Sequence, residues 1–506
     1  MEKLLPLLVA IPLFAAFLLP LIDKIRNGSG ISRFLAPFVS LVLLILVFRS
    51  LASSEVTYWV GGWTPESGAL GISLVLDKMS SFMLLVINVT AFAVILYSHN
   101  YMRRYTSESI YYCLFFLMVT GMNGLVLAGD IFNLYVFLEI AAMASYALVA
   151  FGCDTEELEA SFKYLVLGTV GSSFIIMGIA ILYNQTGHLN MAQISLHLPA
   201  QNMAILMAGA FFMLGFGLKA AMVPFHAWLP DAHPSAPAPI SAMLSGVLIK
   251  ALGVYTLLRV FFTVLGMSFE FAHIFMVLGA LSMVIGVCLA VVQWDFKRLL
   301  AYHSISQMGY VVLAMGVAGE MMISQKLSIA SLALLGALFH LMNHAAFKSL
   351  LFLCSGAAEY ATGTRLLKQL GGLKHRMPVT SGCLRIAAFS ISGIPPFNGF
   401  WSKLIIVIAV FQAGHYGLGA LTVLVSFMTL LSFIKVQRYV LDGDPSPCVE
   451  KAREVPFAMG LAMVLLALIC VFAGLLLPYF KPFLLDQAGS VLVQNVPQVI
   501  HLAAGG

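Results

Sequence analysis

The chain has 506 residues, of which 61% are hydrophobic and 10% charged, whereas a soluble domain is about 45–50% apolar and about 25% charged. This excludes a soluble globular protein and leaves room for a dozen or more spans of about 20 apolar residues each. The formal charge of +5 is read as a record of membrane topology, not as attraction to nucleic acid. The seven cysteines are scattered without a C-x-x-C pair, so no iron–sulfur cluster, structural zinc or other cofactor is expected.

Apolar runs predict fourteen spans, near 4–22, 34–51, 79–98, 110–128, 131–150, 161–183, 203–223, 238–262, 272–292, 299–317, 327–356, 380–412, 415–436 and 457–477. The fold expected is an all-α polytopic membrane protein of about 14 transmembrane helices. The first run is too long for a signal-peptide core and its positive flank follows it, so it reads as a retained span. The stretch 55–77 holds Val, Tyr, Trp and Ile around a Gly/Pro turn and predicts a small hairpin capping the outer surface. Residues 478–506 contain Pro478, Pro482 and Pro497 and offer no long helix.

Lys and Arg concentrate in cytoplasmic loops. With the N-terminus outside, Lys24, Arg26, Arg33, Arg103, Arg104, Lys297, Arg298, Arg365, Lys368, Lys374, Arg376, Arg438, Lys451 and Arg453 fall in inner loops, against Lys3, Lys78, Lys326 and Lys481 outside. Both termini are therefore expected on the non-cytoplasmic side of a prokaryotic cell membrane. Arg49, Lys163, Arg259, Arg385 and Lys435 lie near span ends, where a long side chain snorkels to the interface.

Four lysines have no such escape. Lys219, Lys250, Lys348 and Lys403 sit well inside apolar sequence, where each costs roughly 2.5–3.5 kcal/mol on insertion scales. Glu139 is the one acid deep in a span. A buried carboxylate stays ionised only beside a cation, and a buried amine responds in the opposite sense, so such a pair passes protons by separating and rejoining. In FHLMNHAAFKSLLFLCSGA, His340, His344 and Lys348 recur every fourth residue, on one helix face over about 12 Å. Titratable groups so spaced form a proton wire across one or two waters.

Two spans are interrupted. Pro395 and Pro396 break the span carrying Lys403, and Pro224 opens a proline-rich stretch after Lys219. An unwound segment at membrane depth is tolerated only inside protein or along a wet cavity. Paired broken helices, one in each half of a transporter, point to the transport site. They are predicted as helices 7 and 12, five spans apart, which implies two inverted five-helix repeats: residues 107–265 (spans 4–8) and 266–440 (spans 9–13), flanked by 1–106 and 441–506.

The segments LKAAMVPFHAWLPDAHPSAPAPISAMLSG, HLMNHAAFKSLLFL and GIPPFNGFWSK resemble the antiporter-like subunits shared by respiratory complex I, Mrp cation/proton antiporters and membrane-bound hydrogenases. The resemblance covers at least residues 75–440. GDIFNLYVFLEIAAMASYALVAFG and LEASFKYLVLG look closest to the D-type subunit of Mrp antiporters and its hydrogenase counterpart. The resemblance implies that Glu139 and Lys219 are the family's fifth-helix glutamate and broken-helix lysine. It likewise implies that Lys250 is the central lysine, His344 and Lys348 the eleventh-helix relay, and Lys403 the twelfth-helix site. A lysine there favours the Mrp and hydrogenase branch over the complex I subunit of similar length, and the short tail argues against the largest complex I member.

The function expected is a proton-translocating, in one form Na⁺/H⁺-exchanging, subunit of a multi-subunit complex. Its partners are lipid and other membrane subunits, homologous ones among them, with or without a peripheral redox module. No residue suggests redox catalysis by the chain itself. The alternatives are a complex I-type subunit, a stand-alone secondary transporter, and a polytopic enzyme acting on lipid or quinone.

Overall fold

The computed structural model describes residues 2–25, 30–64, 71–105, 107–199 and 202–493; Arg26 and Pro497 lie outside them. Among the described residues twelve helices are long and apolar enough to cross a membrane, and two shorter apolar ones, Met203–Lys219 and Asn398–Gln412, lie where the broken spans are expected. The protein is an all-α polytopic membrane protein. The one sheet among the described residues is the expected hairpin, Val56–Trp59 against Ser73–Leu76, antiparallel.

Polar residues at the joints set where helices begin. Asp77 forms a capping box with Ser80, and Asp130, Asn202 and Asp295 each accept a hydrogen bond from the backbone N–H three residues on. Each satisfies one of the amides that a helix start leaves unpaired. The helices Thr155–Thr186 and Leu327–Thr362 end on Gly187 and Gly363, both in the left-handed conformation that glycine adopts without a side-chain clash.

Burial separates centre from rim. Ala238–Val264 and Phe296–Ile323 are 94% buried over their most apolar stretch, whereas Ser32–Leu51 and Tyr416–Leu441 are 33% buried and turn Phe34, Phe38, Phe48 and Phe427 outward. Phe269–Val291 packs on Phe296–Ile323 through glycines: a Cβ on Gly279 would stand 2.5 Å from the Leu313 backbone nitrogen, and one on Gly309 2.6 Å from that of Met283. In lipid, where helices gain little hydrophobic energy by meeting, such close backbone approach supplies the attraction.

Two expectations are corrected. The segment after the last long helix is helical from Leu477 to Val493. Pro478 stands in its first turn, where a missing N–H loses no bond, Pro482 falls where the helix widens into a π turn over Lys481–Leu485, and Leu485, Ala488 and Leu492 are buried. Arg259 does not snorkel. It is 9% exposed and grips Asp77 with both terminal nitrogens, at 2.5 and 2.6 Å, while Tyr255 receives its Nε at 2.9 Å. Burial alone would push the Asp77 carboxyl up; the Arg259 guanidinium outweighs that and holds it below its ordinary value.

A carboxyl with a lowered pKa contributes stability that is present above its unfolded pKa and lost as pH falls through the folded value. Asp77→Asn is expected to destabilise the protein by about 3–5 kcal/mol, because it strands a buried guanidinium, and to flatten the acid limb of the stability curve. Thermal unfolding in detergent as a function of pH checks both; an unchanged curve would show that the pair carries no stability.

Candidate functional site

The line of titratable residues begins at Glu139, on the helix Ile131–Val149. Its Oε1 lies 3.6 Å from Lys219 Nζ, with the lysine side chain 1% exposed and the glutamate 28%. Ser172 donates a hydrogen bond to the same oxygen, and the Lys219 amine donates to the Tyr146 hydroxyl at 3.2 Å. Lys219 is the last residue of Met203–Lys219, and the carbonyls just before it are taken up by the turn that follows: Phe216 accepts from the Ala220 N–H, Gly217 from Met222, and Leu218 from Ala221 and the Trp228 indole. The chain then leaves helical geometry: Ala221 has φ of 52°, Pro224 lies within the irregular stretch, and the short helix Leu229–Ser235 follows.

Lys250 is wholly buried in Ala238–Val264. Its amine turns back on its own helix to the Ser245 carbonyl at 2.5 Å and to the Gly246 carbonyl. The helix is widened into π turns over Leu244–Leu248 and Lys250–Tyr255, a distortion frequent at functional sites. Two glycines bring its neighbours close. A Cβ on Gly253 would lie 2.5 Å from the Ala220 backbone, at the break after Lys219, and one on Gly246 would run into Ser349 Oγ, beside Lys348.

His340, His344 and Lys348 are fully buried on Leu327–Thr362, with the two imidazoles 6.5 Å apart between ring centres. Lys348 donates to the Leu300 carbonyl. Neither nitrogen of His344 has a hydrogen-bond partner among the described residues. His340 Nδ1 meets Ser402 Oγ at 2.9 Å, one residue before Lys403. The Lys403 amine donates to the Ile391 carbonyl at 2.8 Å and to Ser426 Oγ at 3.3 Å. Tyr310 joins the two, its ring 5.7 Å from His340 and 5.1 Å from the Lys403 amine.

The second break, holding Pro395 and Pro396, separates Pro378–Ser392 from Asn398–Gln412. Ser390 donates to the Asn398 side-chain oxygen across it, and the Asn398 amide donates to Asn343 Oδ1, on Leu327–Thr362, at 2.9 Å. Its lysine follows the break, whereas Lys219 precedes the first. Ile391 belongs to the last turn of Pro378–Ser392, so the Lys403 amine is bonded to the carbonyl end of the helix before the break.

Six of the seven candidate residues thus lie buried inside the bundle, and Glu139 stands at its edge, half-buried. Glu139 with Lys219, and His340 with Ser402 beside Lys403, are in direct reach of one another. Lys219 and Lys250, and Lys250 and Lys348, are joined by helix packing; no hydrogen bond links them among the described residues. Counting charges by loop misplaces Lys297. It is 3% exposed and pairs with Glu359 at 3.0 Å, because the helix capped by Asp295 opens at Phe296 and turns the lysine inward within its first turn. Ser172, Tyr146, Tyr310 and Ser402 carry no signal in the sequence, since uncharged hydroxyls are ordinary in spans.

The family profile described as NADH:quinone oxidoreductase/Mrp antiporter, transmembrane, matches residues 128–429, a stretch that runs from before Glu139 to beyond Lys403. The chain belongs to that family. A second profile, the N-terminal part of complex I chain 5, matches residues 63–112. The D-type subunit of a Na⁺/H⁺ antiporter from Alkalihalophilus pseudofirmus is 30% identical over 97% of this chain and 98% of its own. The N-type subunit of NADH-quinone oxidoreductase from Desulforudis audaxviator is 34% identical over 89% of each, and hydrogenase-4 component B of Escherichia coli is 34% identical over 92% of this chain and 74% of its own. One protein of the Mrp complex from a Dietzia species superposes with a TM-score of 0.87 at 27% identity, covering 99% of both. One from an archaeal membrane-bound sulfane sulfur reductase reaches the same score at 30% identity over 98% of this chain and 100% of that one.

Gly253→Val is expected to push the Lys219 break away from the Lys250 helix, since a backbone atom meets the added carbon and cannot swing aside as a side chain would. Purification yield and melting temperature should both fall; a variant as stable as the parent would show that this contact is loose.

Proposed function

We propose that the chain is the ion-translocating membrane subunit of a multi-subunit complex of the Mrp-antiporter or membrane-bound hydrogenase type, moving protons and, in an Mrp-type assembly, exchanging them for Na⁺. The observation that carries this reading is the Glu139–Lys219 pair, 3.6 Å apart at the end of a broken helix. Closed, the pair favours the charged form of both groups. Opened, the low-dielectric surroundings favour a neutral amine and a neutral acid, so a proton leaves the lysine and another is taken up by the carboxyl. Protons then cross by Lys250, pass His344 and Lys348 with His340 alongside, and reach Lys403. The halves 107–265 and 266–440, each with one broken helix, supply the two ends of this path, and both chain termini lie on the non-cytoplasmic side of the cell membrane.

Membership of a larger assembly is supported by Glu139 itself. Its side chain is 28% exposed beside an apolar groove lined by Leu114, Leu117, Val136 and Met143, and a carboxylate facing acyl chains is costly until a neighbouring subunit covers it. The antiporter, hydrogenase and sulfane sulfur reductase relatives fit such an assembly. Any electron transfer resides in other subunits. The 34% identity with an N-type subunit keeps a complex I-type quinone oxidoreductase as the second reading, which the identities of co-purifying subunits decide.

The test is translocation by the purified complex, with all its subunits, in liposomes carrying a pH-sensitive dye. Glu139→Gln and Lys219→Ala should each slow it by about tenfold or more, as expected when an essential proton-transfer group is lost. Wild-type rates in both would refute the site.

A further inference from the structure

The short helix Leu229–Ser235 has two unlike sides. One borders an open polar pocket lined by Glu156, Glu159, Lys163, Asp231, Arg298 and Arg365. There Asp231 pairs with Lys163 at 3.1 Å and Arg298 at 3.4 Å, and Arg365 with Glu156 at 3.7 Å. The other side carries His233, two residues after Asp231 and 0% exposed. Its ring lies edge-on to Phe352, centroids 5.1 Å apart, and the Lys348 amine stands over that same ring at 5.7 Å. The charged groups that act on His233 through space are Lys348 and Lys250.

Neither ring nitrogen of His233 has a hydrogen-bond partner among the described residues. Burying an unpaired polar group costs about 1–3 kcal/mol, and a phenylalanine would fill the space beside Phe352 without that cost. The backbone around the ring is held in place: Ser241 donates to the His233 carbonyl at 2.7 Å, Arg365 to that of Pro234 at 3.0 Å, and Lys297 to that of Ala236 at 3.3 Å. A fixed imidazole with both nitrogens free takes a proton at one and releases one from the other.

We propose that His233 is a proton relay joining the charged pocket at Asp231, Arg298 and Arg365 to the central lysines Lys250 and Lys348. The imidazole takes a proton on one nitrogen from hydronium in the open pocket, leaving water, and gives up the proton of the other nitrogen to a neutral amine, which becomes an ammonium; no other bond changes. The proposal rests on the proton-translocating reading above, and its test separates the two.

In the dye-loaded liposomes holding the whole complex, His233→Phe is expected to assemble normally and to translocate about tenfold or more slowly. In His233→Ala, added imidazole should restore translocation, and thiophene, a ring of similar shape without a protonatable nitrogen, should not. Wild-type rates in His233→Phe, equal rescue by both rings, or rescue by neither would assign the ring to packing and overturn the relay. If His233→Ala does not assemble, the His233→Phe rate alone decides. Glu139→Gln run alongside separates the failures: inactive Glu139→Gln with fully active His233→Phe refutes only the relay, and full activity in both refutes the reading of the whole chain.

Discussion

An ammonium ion deep in a bilayer has neither water nor counter-ions to stabilise it, and this chain holds four such amines in its interior. Much of the surrounding architecture answers that constraint. Lys219 has a carboxylate and a phenol, Lys250 the carbonyls of its own widened helix, Lys348 a carbonyl of the neighbouring helix, and Lys403 the carbonyl end of a helix and a serine. Each arrangement removes part of the desolvation penalty without fixing the proton permanently. A fully paired, fully bonded charge would be stable and inert.

The breaks follow from the same need. A continuous helix satisfies its own carbonyls, and a carbonyl that also serves an amine, as that of Leu300 does for Lys348, is shared. Ending one midway leaves the Ile391 carbonyl to the Lys403 amine, while the prolines at the breaks, Pro224, Pro395 and Pro396, are exposed at the surface of the bundle. The glycines of the Lys250 helix meet a second requirement. Gly253 lets that helix meet the backbone of the first break at Ala220, and Gly246 lets it meet the Ser349 side chain of the Lys348 helix.

Much of this was legible in the sequence because charge in an apolar run stands out. The four lysines, Glu139, the histidine stripe and both proline breaks announce themselves, and the spans follow from hydropathy alone. Arg259 and Lys297 pass for an edge and a loop charge, because hydropathy cannot tell an interfacial side chain from one turned inward to a partner far along the chain, here Asp77 and Glu359. His233 was hidden in a proline-rich stretch whose interest lay in its backbone. The tail's prolines mislead because Pro478 falls in a first turn and Pro482 is accommodated by a π turn. Tyr146, Ser172, Tyr310 and Ser402 were invisible for a simpler reason: their importance lies in whom they meet.

The two ends of the lysine line differ in a way that bears on where a proton can rest. Beside Lys219 the compensating charge is Glu139, which can itself take up a proton, so that end offers two seats. Beside Lys403 it is the Ile391 carbonyl and the Ser426 hydroxyl, neither of which becomes an acid or base near neutral pH, so that end offers one. On the proposed proton path, a vacancy at the first end is filled from either side of the ion pair, and one at the second through the amine.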